Sequence, residues 1–414
     1  MVRRGTSRRT LAAALALGVP LALAGCGGDE AGGGSGGDGG AVDSLRVLDY
    51  YNNEPDNTFY QDVIDACGEG AGITIERQSV PGGDLISTVL QQSSSRTLPD
   101  VLMLDNPDLQ QIAESGALAP LGDFGLTADG YADGVVQASS YEGELYGLQP
   151  VTNTIALFYN ETLLAEAGVA PPTTWDELES AAAALTTGDQ YGLAFSAINT
   201  YEGTWQFLPF MWSNGGDESD IATPETAEAL QLWVDLVQSG SASQSVVNWS
   251  QADVNDQFAA GNAAMQVNGH WQFPVLDDTE GLEYGVVQIP APSAGETVVA
   301  PFGGETWTVP QTGDADRQAA AAELVECITS DENMTMLATQ RGTVPTKPEL
   351  VDDVVAETPA IEPFAQQLPD LRSRTGELGA EWPTAATAIY TAVQDALVNG
   401  TAPAEALAAA QSGS

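Results

Sequence analysis

Residues 157–178, LFYNETLLAEAGVAPPTTWDEL, decide how this chain is read. Leu157, Phe158 and Tyr159 form an apolar strand end, and Asn160 then offers a side-chain oxygen to the first unpaired amides of a helix. That helix stops at Gly168, and Pro171-Pro172 cannot extend it. Thr174-Trp175-Asp176-Glu177 has the form of a capping box, hydroxyl first and carboxylate three residues later. It predicts a second helix through Ala184.

The same alternation extends in both directions. Upstream, residues 45–49, 73–80 and 101–104 read as strands, and residues 58–69, 84–94 and 109–115 as the helices between and after them. Strands alternating with helices indicate an α/β fold with parallel sheet and crossover connections. Ligands gather at the carboxyl ends of such strands. Those ends fall here at residues 50–54, 80–84 and 105–107, all rich in polar, Gly or Pro residues. Downstream come a strand at 192–195, an aromatic-rich helix at 205–212 and a helix at 224–237 with Pro224 in its first turn. A strand at 285–290, two helices within 316–337 and closing helices at 381–398 and 403–410 complete the pattern.

Three further segments carry a family likeness: residues 146–157 (YGLQPVTNTIAL, with Pro150 and Asn153), 258–271 (FAAGNAAMQVNGHW) and 301–307 (PFGGETW). Together with 157–178, and in this order, they resemble the extracellular solute-binding proteins of ABC importers. The likeness is to the carbohydrate-binding group that includes maltose-binding protein. It implies a two-lobed α/β fold of the type II periplasmic-binding class, each lobe a mostly parallel sheet flanked by helices, with three hinge crossings. The implied first lobe takes residues 44–152 and 304–357, and the second takes 153–303 and 358–414. The implied activity is capture of a sugar or oligosaccharide by lobe closure and delivery to a permease, by a monomer with no cofactor.

The N-terminus reads as an address. Four arginines, an apolar run too short to span a bilayer and Leu23-Ala24-Gly25-Cys26 make residues 1–25 a secretory signal peptide. Ser7-Arg8-Arg9 also looks like a twin-arginine signal. By resemblance to bacterial lipoproteins, Cys26 is the lipidated first mature residue, and 26–43 is a Gly-rich tether on the outer face of the cell membrane. With Cys26 set aside, Cys67 and Cys327 remain. An even pair in an exported protein favours a disulfide, with two buried thiols as the alternative.

Charge excludes more than it assigns. Twelve basic residues stand against 58 acidic ones, for a net charge of −46. A surface of that sign repels nucleic acid and anionic lipid, and its bland explanation is solubility. Enzymatic machinery is sparse as well. One histidine, His270, cannot build a His-rich metal site, and no phosphate-loop or HExxH motif occurs. His270 is therefore expected to cap a helix or line the cleft. Asp217-Glu218-Ser219-Asp220 lacks the pattern of a calcium loop and reads as a solvated turn.

A neutral polyol needs planar aromatics beneath its C–H faces and Asn, Asp, Glu or Arg at its hydroxyl edge. The strand-end loops offer Tyr51, Asn52, Asn53, Glu54, Asp105 and Asn106, and the crossing offers Asn153. The second lobe offers Glu202, Trp205, His270 and Trp271. The return crossing offers Gly303, Gly304 and Glu305, where missing side chains would admit a ligand to the backbone, and the last segment offers Arg374 and Trp382. Of the neighbours Tyr50 and Tyr51, Tyr51 is expected to face the cleft. Trp212 and Trp307 are expected in the core. Arg374 either holds ligand or pairs with an acid. By the resemblance, Asp105, Asn106, Asn153 and Trp271 occupy ligand positions. A surface glycosidase using two carboxylates, or a polyamine binder on the same fold, are the competing functions.

Overall fold

A computed structural model describes residues 42–413. The signal peptide, Cys26 and all but the last residues of the tether lie outside the described residues. The chain opens with β1 (Ser44–Asp49), α1 (Asp56–Ala71), β2 (Thr74–Ser79), α2 (Gly82–Ser95), β3 (Val101–Asp105) and α3 (Asn106–Glu114). Next, α4 (Asp133–Ala138) and a hairpin of β4 (Ser140–Tyr141) and β5 (Glu144–Leu145) lead to β6 (Gly147–Leu148) and β7 (Val151–Thr152). A second run follows: β8 (Ile155–Asn160), α5 (Glu161–Ala167), α6 (Trp175–Leu185), β9 (Tyr191–Ala194), α7 (Tyr201–Ser213), α8 (Pro224–Gln238), α9 (Gln251–Ala259), β10 (Ala263–Gly269), α10 (Phe273–Asp277) and β11 (Tyr284–Val287). The chain returns through β12 (Pro301–Phe302), β13 (Glu305–Thr308), α11 (Ala315–Ile328), α12 (Asp331–Arg341), β14 (Val344–Pro345) and α13 (Val351–Glu357). It ends in α14 (Glu362–Ala365), β15 (Arg372–Ser373), α15 (Trp382–Gln394) and α16 (Pro403–Gly413).

These strands make two principal sheets, ordered β2-β1-β3-β13-β6 and β11-β8-β10-β9. β1 runs parallel to β2 and β3, whereas β13 is antiparallel to both β3 and β6. In the second sheet β8 is antiparallel to β10 and β11, while β10 runs parallel to β9. Each sheet is thus mostly parallel with one reversed strand. The reversed strand is in each case the first to form after the chain arrives from the other sheet. Asn153 and Gly303 bridge the outgoing and returning segments through paired backbone hydrogen bonds.

Local chemistry in the opening stretch is largely as expected. Asn160 Oδ1 accepts from the Leu163 amide at 3.0 Å, and Gly168 closes α5 with φ +67°. Thr174 accepts from the Glu177 amide, but Glu177 reaches back to Thr173 rather than Thr174. The capping box is therefore displaced by one residue, because the extended segment before α6 presents the Thr173 amide and hydroxyl together. α7 begins four residues earlier than the aromatic run suggests, at Tyr201, with Thr200 as its cap.

One apolar core surrounds the second sheet, from Leu157 and Leu193 to Trp233 and Ile389. A second lies under the first sheet and continues through Phe158, Phe273 and Phe364, so both sheets share it on one side. Trp307 is fully buried and Trp212 nearly so, as expected. Cys67 in α1 and Cys327 in α11 are joined by a disulfide of 2.04 Å. Among the described residues, no helix is long and apolar enough to cross a membrane.

Candidate ligand-binding site

The chain places its few cations with economy. Eight Lys and Arg fall within residues 42–413, and seven of them form ion pairs; the exception is Arg96, the left-handed residue that ends α2. Six of the seven pair with acids of their own region. Arg46 and Arg317 converge on Asp100, Arg77 meets Asp49, Arg341 meets Asp56 and Lys347 meets Asp331. Arg372 pairs with Asp217 and Glu218 and lies over the Trp212 ring at 4.9 Å. Residues 217–220 are therefore not a simple solvated turn: Glu218 is buried, gripped by Arg372 and by the Trp212 indole N–H at 2.7 Å.

Arg374 is different. Its guanidinium donates to both Asp105 oxygens, at 2.8 and 3.3 Å, and to Asn106 Oδ1 at 3.1 Å. Those residues stand at the carboxyl end of β3, in the first sheet. The same guanidinium lies 4.5 Å from the ring centre of Trp205, on α7 of the second. Gly303, on the return segment, faces both Asn153 Oδ1 and Trp205, so these elements meet at one place. Buried polar atoms there lack hydrogen-bond partners: Trp205 Nε1, Arg374 Nε and, on the neighbouring β13, Glu305 Oε2, which stands 4.0 Å from the Arg341 guanidinium. An unpaired buried donor or acceptor costs roughly 1–3 kcal/mol, which a ligand with hydroxyl groups would recover.

Other expected site residues are placed elsewhere. Tyr51 does not face outward; it is buried, stacked on Tyr60 with ring centres 3.9 Å apart and covered by Arg341. Tyr50 is the half-buried neighbour, donating its hydroxyl to Glu305 at 2.6 Å. Alternation along an extended segment says that the two differ, but not which one the core claims. His270 is fully buried against Phe364 at 4.7 Å, with neither ring nitrogen bonded, and burial lowers its pKa to about 3. It is a neutral core residue rather than a cap or a cleft wall. Trp382 is likewise in the core.

Gly303 and Gly304 are also reassigned. The space a Cβ would take is filled by Asn153 and Trp205 at Gly303, and by the Gln149 amide at Gly304, whose φ is +123°. The glycines permit close packing of the two crossing segments and leave no opening for a ligand. Glu202 is exposed and accepts from the Gln251 amide at 2.9 Å, at the start of α9. Glu54 is exposed and holds Asn57 and Thr58 at the start of α1. Asn52 and Asn53 are exposed in the loop after β1, Asn153 is half-buried, and Trp271 is half-buried against Gly269. Glu305 is buried on β13, and burial raises its pKa; nearby Arg341 opposes that rise.

Asp108 was not anticipated. It is a half-buried acid in the first turn of α3 that accepts no hydrogen bond and makes no ion pair among the described residues. Burial, then the charge of Asp105, pushes its pKa up to about 7 against the pull of Arg374. Two surface cavities of about 570 and 540 Å³ lie away from this constellation, beside β11 and α14 and between α15 and α16. Neither collects unpartnered polar groups of the kind found around Arg374.

Residues 62–363 match the family described as bacterial extracellular solute-binding protein. The chain belongs to that family. As a solute-binding protein it is 24% identical over 377 residues to a maltooligosaccharide ABC transporter solute-binding lipoprotein of Streptococcus pneumoniae, covering 84% of each chain. A solute-binding protein of Thermotoga lettingae, solved with α-D-tagatose, superimposes with a TM-score of 0.80 at 22% identity. That match covers 90% of this chain and 98% of the other. The cyclic α-maltosyl-1,6-maltose binding protein of Arthrobacter globiformis gives 0.74 at 27% identity, covering 90% and 98%. The fold is the two-lobed type II architecture, and the protein is an extracytoplasmic solute-binding protein.

Proposed function

We propose that this solute-binding protein captures a sugar or short oligosaccharide between its lobes, residues 44–152 with 304–357 and 153–303 with 358–414. It then releases the sugar, chemically unchanged, to the permease of an ABC transporter. The observation that carries the reading is the junction at Arg374. Here an amide edge (Asn106, Asn153), a carboxylate (Asp105) and an indole face (Trp205) come from different lobes and leave buried donors and acceptors unsatisfied. Aromatic faces and bidentate polar edges suit neutral polyols. The sugar-binding names of the relatives support the same class.

Closure needs differential affinity: a sugar touching both lobes stabilises only the state in which they meet. Lipidation at Cys26 would keep the protein at the membrane, where the permease is. Titrating intrinsic Trp fluorescence with monosaccharides, oligosaccharides, polyols and polyamines tests the reading. Saturable change with sugars, and none with polyamines, is expected. A folded protein that stays silent across the sugars, or that turns oligosaccharides into new reducing ends, overturns it.

A further inference from the structure

The second sheet ends differently on its two sides. At β9 the outer edge is closed: the Gly192 and Leu193 amides donate to the Ser241 carbonyl at 3.0 and 3.1 Å, and Leu193 bridges to Ala242. β11 is the opposite edge and pairs only with β8. The Glu161 amide donates to the Glu283 carbonyl at 2.9 Å, which sets the alternation of that antiparallel ladder. Gly285 and Val287 therefore turn their amides and carbonyls toward β8, while Tyr284 and Val286 turn theirs away from it. Among the described residues, no hydrogen bond takes those outward backbone groups.

This open edge is one wall of the surface cavity of about 570 Å³ beside β11 and α14, and residues 359–363 contribute the other wall. Leu282 and Val286, both half-buried, give it apolar lining. Its charged lining is of one sign: Glu161, Asp277, Glu283 and Glu362, all exposed, with no Lys or Arg beside them. Among the described residues, none of the four takes part in an ion pair. Charge and proline commonly keep an edge strand from pairing. Here they stand back from it, so a groove runs beside the outward amides.

We propose that the groove along β11 docks an extended, lysine- or arginine-bearing segment of a partner protein, which joins the second sheet as an added strand. Main-chain bonds to Tyr284 and Val286 align the segment, and the apolar lining receives its alternate side chains. Its cations meet the four carboxylates. Charge complementarity selects this occupant, since an acidic segment would bring like charge against all four. The proposal does not depend on what the protein binds between its lobes.

Isothermal titration of the intact mature protein at low salt tests this with three end-blocked, five-residue peptides. One alternates lysine and valine, and one alternates glutamate and valine. The third is the lysine peptide with two consecutive amides N-methylated, which blocks both of its edges. The lysine peptide is expected to bind about tenfold or more tightly than either of the others, and to weaken several-fold at about 0.15 M salt. Glu283→Gln with Glu362→Gln should weaken it about fivefold, in a variant that stays folded and monomeric. Equal binding of the N-methylated or the glutamate peptide, or undiminished binding by the double variant, overturns the proposal. So does a native protein that binds no lysine peptide; self-association of the double variant would then show that the acids only keep the edge unpaired.

Discussion

Arg341 and Arg374 look alike from their surroundings. They are 4% and 5% exposed, each lies over aromatic rings, and each grips an aspartate with two nitrogens. Their wiring differs. Arg341 bonds Asp56 and the Tyr60 hydroxyl and covers Tyr51, and its nearest further acid is Glu305 at 4.0 Å. All of these belong to the half built on the first sheet, and all three of its side-chain nitrogens are engaged. Arg374 draws Asp105 and Asn106 from one half and Trp205 from the other, and it keeps its Nε unbonded. The comparison teaches that burial and charge pairing do not separate a structural arginine from a functional one. Whether the partners can move apart does, together with whether a donor is left over.

The largest effect should come from the arginine that stays within one half. Arg341→Ala leaves Asp56 and Glu305 without their cation. Removing one member of a fully buried pair costs about 3–5 kcal/mol, and solvent contact at Asp56 brings the expected loss to about 2–3 kcal/mol. Urea denaturation is expected to show that loss, while ligand affinity per folded molecule stays unchanged. A drop in affinity without a drop in stability would break the comparison.

Arg374→Gln should behave oppositely. Affinity for the ligand is expected to fall at least tenfold, about 1.4 kcal/mol or more, with a smaller change in unfolding midpoint. Equal losses in both measurements would make Arg374 another structural clamp.

Asp108 gives the smallest and most specific effect. Its carboxyl has a pKa of about 7 in the folded chain, against roughly 4 when unfolded. The unfolded chain therefore gives up this proton first as pH rises. The folded state loses stability between about pH 4 and pH 7, and the full cost persists above that range. Asp108→Asn removes the cost, so the variant should match the native protein below pH 4. It should exceed it by on the order of 1–2 kcal/mol above pH 7, since partial solvent contact tempers the burial term. Difference melting curves across pH would show this, and a gain at acid pH instead would contradict the assignment.

Much of the fold was legible because its signals are local. Asn160, Gly168 and Thr174 act on amides and carbonyls within four residues, so a short window contains both partners. The signal for the start of α7 is equally local, in Thr200 ahead of Glu202, although the aromatic run itself begins four residues further on at Trp205. Asp105, Asn106, Asn153 and Trp205 were legible as strand-end and helix residues of suitable chemistry. Asp108 was not, because burial is the main cause of its raised pKa, and burial on α3 is set by segments from far along the chain, residues 379–381 among them.

Composition, caps and strand–helix alternation by themselves determined the α/β class, the order of the elements and a short list of polar and aromatic residues. Tertiary structure alone decided which of Tyr50 and Tyr51 the core would take, that His270 and Trp382 would be enclosed, and that Gly303 would admit a neighbouring segment. It also decided that one arginine of the seven within residues 42–413 would join elements of both sheets. The reason is geometric: propensity and capping act along the chain, whereas burial and unmet hydrogen bonds are set by segments that the chain brings together from far apart.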